Sequence, residues 1–377
     1  MTDQPEHHLH PIGDSLGQEA DALINPDLPV EVPPPEQMSL VRRMRQPKTI
    51  LSFAVPLVII VVAILLNRDK LAEVPRDVSQ ANLWLILLGF AVYYLGFPLR
   101  GHRWTVLLKG AGYRISTKDG TEILFLSWLV NCVVPAKLGD IYRAYLLKLN
   151  SPVSLTKTLG TVFIERILDL FAIAALGLAA GYIHFREGLP RDVQIIFAFG
   201  VVLVVLLALA LIGMRNFGRR LVEALPLPHR AEELYLRFEE GVFQSVGLRG
   251  LPWLGVLTGL IWLTEGLRLY FVIQAFGFQD LHLGLSGTMF VALCGSLLTA
   301  VPLTPGGLGF VEAGAVGLLT TVFGMPFPQA SAIILVDRAI SVFSIVVLGS
   351  IAYVISSKPR GSGIKIEEVT RRPDSTG

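Results

Sequence analysis

The sequence predicts an all-α polytopic membrane protein made of two inverted repeats, each with a re-entrant, broken helix hairpin beside long transmembrane helices. Three observations lead there. Of the 377 residues, 52% are hydrophobic and 16% charged, where a soluble chain carries roughly a quarter charged residues. The apolar residues gather in runs that a water-soluble core would not bury, and the mean hydropathy is +0.59. Finally, the two halves match each other at an offset of about 170 residues, the internal symmetry that transporter folds carry around interrupted helices.

Residues 1–40 hold many carboxylates and prolines, with no Lys or Arg before position 42, and read as a disordered acidic cytoplasmic tail. His7, His8 and His10 belong to that tail, and no metal site is expected from the histidines. Arg42, Arg43, Arg45 and Lys48 precede a first apolar run at 49–66. Cytoplasmic loops are enriched in Lys and Arg, so this cluster places the N-terminus inside. A second run, 81–99, extends helically toward Leu108.

The third apolar stretch, 121–134, covers only about 21 Å at 1.5 Å per residue, short of the roughly 30 Å hydrocarbon core. It stops at Pro135 and resumes as helix to Leu149, so 121–149 is expected to re-enter rather than span. Helices at 156–184 and 193–214 follow. The charged connection 215–250 places Leu234, Phe238, Val242 and Val246 on one helical face, suited either to the membrane surface or to packing under the bundle. Together, 45–190 form a first membrane repeat, 193–250 a link, 251–355 a second repeat and 356–377 a disordered cytoplasmic tail. The second repeat breaks at Pro302–Gly309 within 284–323. Its run 284–301 either re-enters or spans.

The repeat matches Trp84 with Trp253, Arg100 with Arg268, Pro135-x-x-Leu138-Gly139 with Pro305-x-x-Leu308-Gly309, and Glu165-Arg166 with Asp337-Arg338. Basic residues at 100–118, 215–249 and 358–365 assign those connections to the cytoplasm. That assignment closes only if the first hairpin enters from the cytoplasm and the second from outside, with the broken tips facing each other.

Charged groups inside a bilayer are costly and mark pathways or sites. Here they cluster beside the breaks: Asp140, Arg143, Glu165, Arg166, Asp169, Glu312, Asp337 and Arg338. Glu265 and Arg268, one turn apart, are equally well read as a structural pair. Backbone amides at the helix starts after each break suit an anionic group, and Arg143, Arg166 and Arg338 would add phosphate-pairing charge. Cys132 and Cys294 read as packed thiols. The Pro305-Gly306-Gly307-Leu308-Gly309 segment lacks the Gly-Lys-Ser/Thr of a phosphate loop. Neither a cofactor nor nucleic acid is expected.

In these pieces, Asn131-x-x-x-Pro135-x-x-x-Gly139-Asp140-x-x-Arg143, Glu165-Arg166-x-x-Asp169, Pro305-Gly306-Gly307-Leu308-Gly309-x-x-Glu312 and the late Arg338, the sequence resembles the lysylphosphatidylglycerol synthase transmembrane region family over about residues 45–355. The resemblance implies a multi-pass inner (plasma) membrane protein of bacterial type, flippase-like; the distribution of Lys and Arg is what places both termini in the cytoplasm. The best-understood members move aminoacylated phospholipid between leaflets. The family commonly has Gly-Glu at Gly139-Asp140. Members that make aminoacyl lipid carry a soluble transferase domain after the membrane part, which this sequence lacks, so aminoacylation by this chain alone is not expected.

The leading expectation is a transporter of an anionic or aminoacylated amphipathic lipid, with those charged residues together with Asn131, Pro135, Gly139, Pro305, Gly306, Gly307 and Gly309 forming the substrate site. Two others stand beside it: an embedded headgroup enzyme using Glu165 or Asp169 as general base, and an accessory subunit for a separately encoded lipid-modifying enzyme.

Overall fold

The computed structural model describes residues 71–185, 188, 190–225, 228–247, 249–278, 283–299, 304–361, 364 and 367–368. The acidic segment, the basic cluster at 42–48, the apolar run 49–66 and most of the C-terminal tail lie outside the described residues. The regular structure of the described residues is helical, apart from one antiparallel pairing of short strands, β1 (Tyr113–Arg114) with β2 (Glu367–Glu368).

After the short helix α1 (Val74–Gln80), Asn82 caps α2 (Leu83–Gly110), its side chain accepting from the Trp84 amide at 3.0 Å. α2 runs through Arg100 and Arg103, which it buries. Those two arginines therefore do not belong to a cytoplasmic connection, as their spacing after the apolar run suggested; the helix continues past them for two turns. α3 (Thr117–Val133) and α4 (Leu138–Asn150) flank the first break. α5 (Leu155–His184) is a continuous helix of 30 residues, about 45 Å long.

α6 (Arg191–Ala224) extends ten residues beyond the expected end at Met214, because nothing in 215–224 breaks the helix. α7 (His229–Ser245) lies against α5, where Gly160 and Gly241 let the two backbones approach. Val242 is fully buried there, so the amphipathic face of 229–245 covers the bundle instead of the membrane surface. The second half comprises α8 (Leu251–Phe276), α9 (Gly284–Leu298), α10 (Phe310–Thr321), α11 (Phe327–Arg338), a π-helical turn (Ala339–Phe343) and α12 (Ser344–Ile355). With 15 residues, α9 rises about 22 Å, less than a bilayer core, which disfavours the spanning alternative for 284–301.

Among the described residues, four helical stretches are long and apolar enough to cross a membrane: Leu83–Gly110, Val193–Ala224, Leu251–Phe276 and Phe327–Ile355. Along α6, Ile195, Phe199, Leu206 and Leu209 are exposed, a surface suited to lipid. α2 and α8 form the most extensive helix pair. They are antiparallel: the Asn82 amide donates to the Ala275 carbonyl at one end, and His102 meets Trp253 at the other.

Each broken segment is a helical hairpin with a defined mouth. The first has its mouth at the N-terminal end of α5, where Tyr113 Oη accepts from the Ser154 amide at 3.2 Å. The segment after α12 clasps both of its legs. Lys358 pairs with Asp119 at 2.8 Å, Ser356 donates to Glu122 at 2.6 Å, and Asn150 Nδ2 donates to the Lys358 carbonyl at 2.8 Å. The second hairpin has its mouth at the opposite end of α5. There the His184, Phe185, Phe290 and Phe323 rings pack together, with centroids 4.8 to 6.4 Å apart.

The first hairpin closes tightly because Gly139 has no side chain: its amide donates to Asn131 Oδ1 at 2.8 Å, and a Cβ would collide with the Ser127 carbonyl oxygen. Gly139→Ala is therefore expected to cost about 1–3 kcal/mol, read as earlier thermal unfolding in detergent. Gly255→Ala, inside α8 where a Cβ meets nothing within 4 Å, should not lower the midpoint and gains helix propensity.

Candidate functional site

The residues of the two breaks adopt related backbones. Pro135 is followed by Ala136 and Lys137 at φ 64° and 52°, and Pro305 by Gly306 and Gly307 at φ 59° and 72°. The helix after each break carries a carboxylate at its third residue, Asp140 in α4 and Glu312 in α10, which complements the positive end of the helix dipole. The amides expected to attract an anion thus already have a carboxylate of their own chain beside them.

An arginine 26 residues further on binds each of these acids. Arg166 grips Asp140 through Nε and Nη2 at 2.9 and 2.8 Å, and Arg338 donates from Nε to Glu312 at 2.7 Å. Arg338 Nη2 also donates to the Gly306 carbonyl, tying the second tip to α11.

The acid preceding each arginine turns to the long helix of its own half. Glu165 meets Arg103 of α2 at 3.3 Å, while Asp337 accepts from Arg268 of α8 at 2.8 and 3.1 Å. Glu265 joins the halves, accepting from Arg100 of α2 and Arg268 of α8. Asp169 accepts from Arg103 at 2.6 Å and from Trp262 Nε1 at 3.2 Å. Aromatic faces cover the remaining guanidinium surfaces: Arg100 lies 4.9 Å from Trp128 and Arg268 5.0 Å from Tyr93.

The two tips meet. A cavity of about 210 Å³ is lined by Asn131, Cys132 and Lys137 from the first and by Thr304, Gly306 and Gly307 from the second. Arg166, Asp169, Asp337 and Arg338 also reach it, as do Arg100, Trp128, Trp262, Glu265 and Arg268.

Of the residues singled out from sequence, Asn131, Arg166, Asp169, Gly306, Gly307, Asp337 and Arg338 thus share one cavity. Pro135, Gly139, Asp140, Pro305, Gly309 and Glu312 shape or anchor the tips without lining it. Arg143 and Glu165 sit deeper: Arg143 is fully buried, donates to both Glu165 oxygens at 3.2 Å and lies over Trp104 at 4.8 Å. Its expected role as a phosphate ligand has no opening to the cavity; it is a scaffold cation.

Sequence reasoning passed over Arg100, Arg103, Trp128, Lys137 and Trp262. A usable signal existed for Arg100 and Arg103, since their spacing continues the helix and keeps both on the face that meets α8.

Residues 49–349 match the family described as Lysylphosphatidylglycerol synthase TM region. The chain belongs to that family. A UPF0104 membrane protein of Methanocaldococcus jannaschii is 36% identical over 60% of this chain and 93% of its own length. Another, from Methanothermobacter thermautotrophicus, is 27% identical over 74% and 86%. The Haloferax volcanii protein named glycosyltransferase AglD is 24% identical over 76% of this chain, but over only 51% of its own length. These relatives are archaeal, and the two UPF0104 proteins are named as membrane proteins; this chain is one too.

Removing one partner of a buried ion pair leaves an uncompensated charge, at about 3–5 kcal/mol. Glu265→Gln, which strands Arg100 and half of the Arg268 pairing, should lower stability by that order in detergent unfolding. Trp84→Phe, at a position 80% exposed, should not shift the transition.

Proposed function

We propose that the protein moves an amphipathic lipid with a charged headgroup between the two leaflets, the headgroup passing through the cavity while the tails stay in the bilayer. One observation carries this reading: two hairpins with mouths at opposite ends of α5 bring their tips to a single charged cavity. In a membrane, irregular backbone is tolerated where it lines a polar cavity, and paired broken helices facing each other supply a site that can open to either side. On this reading the hairpins re-enter, the halves are inverted repeats, and the first mouth is cytoplasmic.

The carboxylates offered for the enzyme alternative are poorly disposed for it. Glu165 lies outside the cavity and is held by Arg103 and Arg143, and Asp169 by Arg103 and Trp262. A general base needs access to its substrate. The match to only about half of a protein named as a glycosyltransferase favours a second reading, in which transport is coupled to a separately encoded lipid-modifying enzyme.

The topology has its own test. Single cysteines at the exposed positions Lys118 and Pro152 should label with an impermeant thiol reagent from one face, and those at Gln274 and Thr321 from the other. Labelling of Lys118→Cys and Pro152→Cys from opposite faces would mean that the first hairpin spans. For transport, protein reconstituted in liposomes should speed the leaflet exchange of fluorescent phospholipids. Arg338→Gln should slow it about tenfold or more, as loss of a charged hydrogen-bond partner costs about 1.5–3 kcal/mol. If the folded wild type moves no lipid from a panel of phospholipids and polyprenyl phosphates, the transport reading fails.

A further inference from the structure

The charges around the cavity nearly cancel, and the residue that prevents full cancellation is specific. Arg100, Arg103, Arg143, Arg166, Arg268 and Arg338 are matched by Asp140, Glu165, Asp169, Glu265, Glu312 and Asp337, one carboxylate for each guanidinium. Lys137 is left over. It lines the cavity; its carbonyl accepts from the Asp140 amide at 3.0 Å, but among the described residues its ammonium has no hydrogen bond or ion pair. Asp140 and Asp169 attract it from beyond contact distance, while burial and Arg166 oppose its charge. A half-buried cation with no carboxylate in contact is costly in a low-dielectric site.

The backbone adds a second cost. Lys137 stands in the left-handed region at φ 52°, directly after Ala136 at φ 64°, where the matching turn of the other half uses Gly306 and Gly307. A non-glycine residue held there costs on the order of 1–2 kcal/mol, and such strain gathers at functional positions. Two further donors open toward the same space. Among the described residues, Ser341 Oγ is buried without a partner. Arg338 engages Glu312 and Gly306 through Nε and Nη2, and Nη1 has no acceptor among the described residues. The π-helical turn sets Ser341 at the cavity wall, its carbonyl accepting from Tyr93 Oη at 3.0 Å.

We infer that the cavity recognises a headgroup carrying one uncompensated negative charge, a phosphodiester, and that Lys137 receives it, with Arg338 Nη1 and Ser341 Oγ completing the donors. A tetrahedral phosphate accepts hydrogen bonds from several directions at once, which suits donors contributed by both tips and by the π turn. The inference rests on the transport reading for the lipid identity of the ligand and adds its charge. A net-neutral or net-cationic headgroup leaves Lys137 uncompensated.

The test compares leaflet exchange in liposomes of fluorescent phosphatidylglycerol, phosphatidylcholine and the lysyl ester of phosphatidylglycerol, with and without free inorganic phosphate. Wild type is expected to move phosphatidylglycerol about tenfold faster than the other two. Lys137→Gly, which takes the residue of the matching turn and relieves its strain, should fold at least as well as wild type and bring the ratio toward one; Lys137→Arg should retain the preference. Slowing by millimolar phosphate of wild type, but not of Lys137→Gly, would assign the site to the phosphate group itself; no slowing would assign it to the intact lipid headgroup, and either agrees with the inference. Transport without charge preference, or a preference that survives in Lys137→Gly, overturns the role of Lys137 while leaving transport standing. Absence of any transport by folded wild type overturns both.

Discussion

The organisation of this protein depends on one electrostatic constraint: a guanidinium held among membrane helices must have a carboxylate against it. Arg100, Arg103, Arg143, Arg166, Arg268 and Arg338 all satisfy it, and in doing so they connect elements far apart in sequence. Glu265 binds α2 to α8, Asp140 and Glu312 bind the hairpin tips to α5 and α11, and Asp337 binds α11 to α8. Buried ion pairs add little net stability compared with apolar packing. Their contribution here is to fix which helix lies beside which, at what register, around a space that stays polar.

The two halves satisfy the constraint by a shared rule and then diverge. In both, the acid at the third position of the helix after the break takes an arginine 26 residues on, and the acid before that arginine turns to the long helix of its own half. The first half adds Lys137, Arg143 and Asp169. At the positions matching Lys137 and Asp169, the second half has Gly307 and Ser341. The cavity is therefore built from similar parts but is chemically lopsided, with an ammonium on one tip and bare backbone on the other.

Much of this was legible in the sequence. The short apolar stretch ending at Pro135 and the Pro302–Gly309 segment marked the two breaks, and the charges adjoining them included residues that the structure brings to one cavity. What was not legible came from tertiary pairing. Arg100 and Arg103 read as loop charges because a basic residue after an apolar run usually reports topology; only the packing of α2 on α8 and α5 shows that Glu265 of α8 and Asp169 and Glu165 of α5 receive them. Arg143 and Arg166 looked alike by sequence, yet one faces Trp104 in the interior and the other the cavity. Lys137 stayed inconspicuous because its significance lies in lacking a partner, which no spacing rule records. The end of α6 and the docking of α7 turned on helix continuity and on the Gly160–Gly241 approach, neither of which hydropathy registers.

The clasp at the first mouth has a consequence for how the molecule comes into being. Lys358, Ser356 and the β2 strand that grip Asp119, Glu122, Asn150 and β1 follow the second half in chain order, and chains emerge N-terminus first. The first hairpin is thus fastened by residues made after the whole second half. Until that half has been threaded and docked, the first hairpin lacks its buckle, and a ribosome that stalls before Ser356 or a protease that cuts there leaves it unfastened.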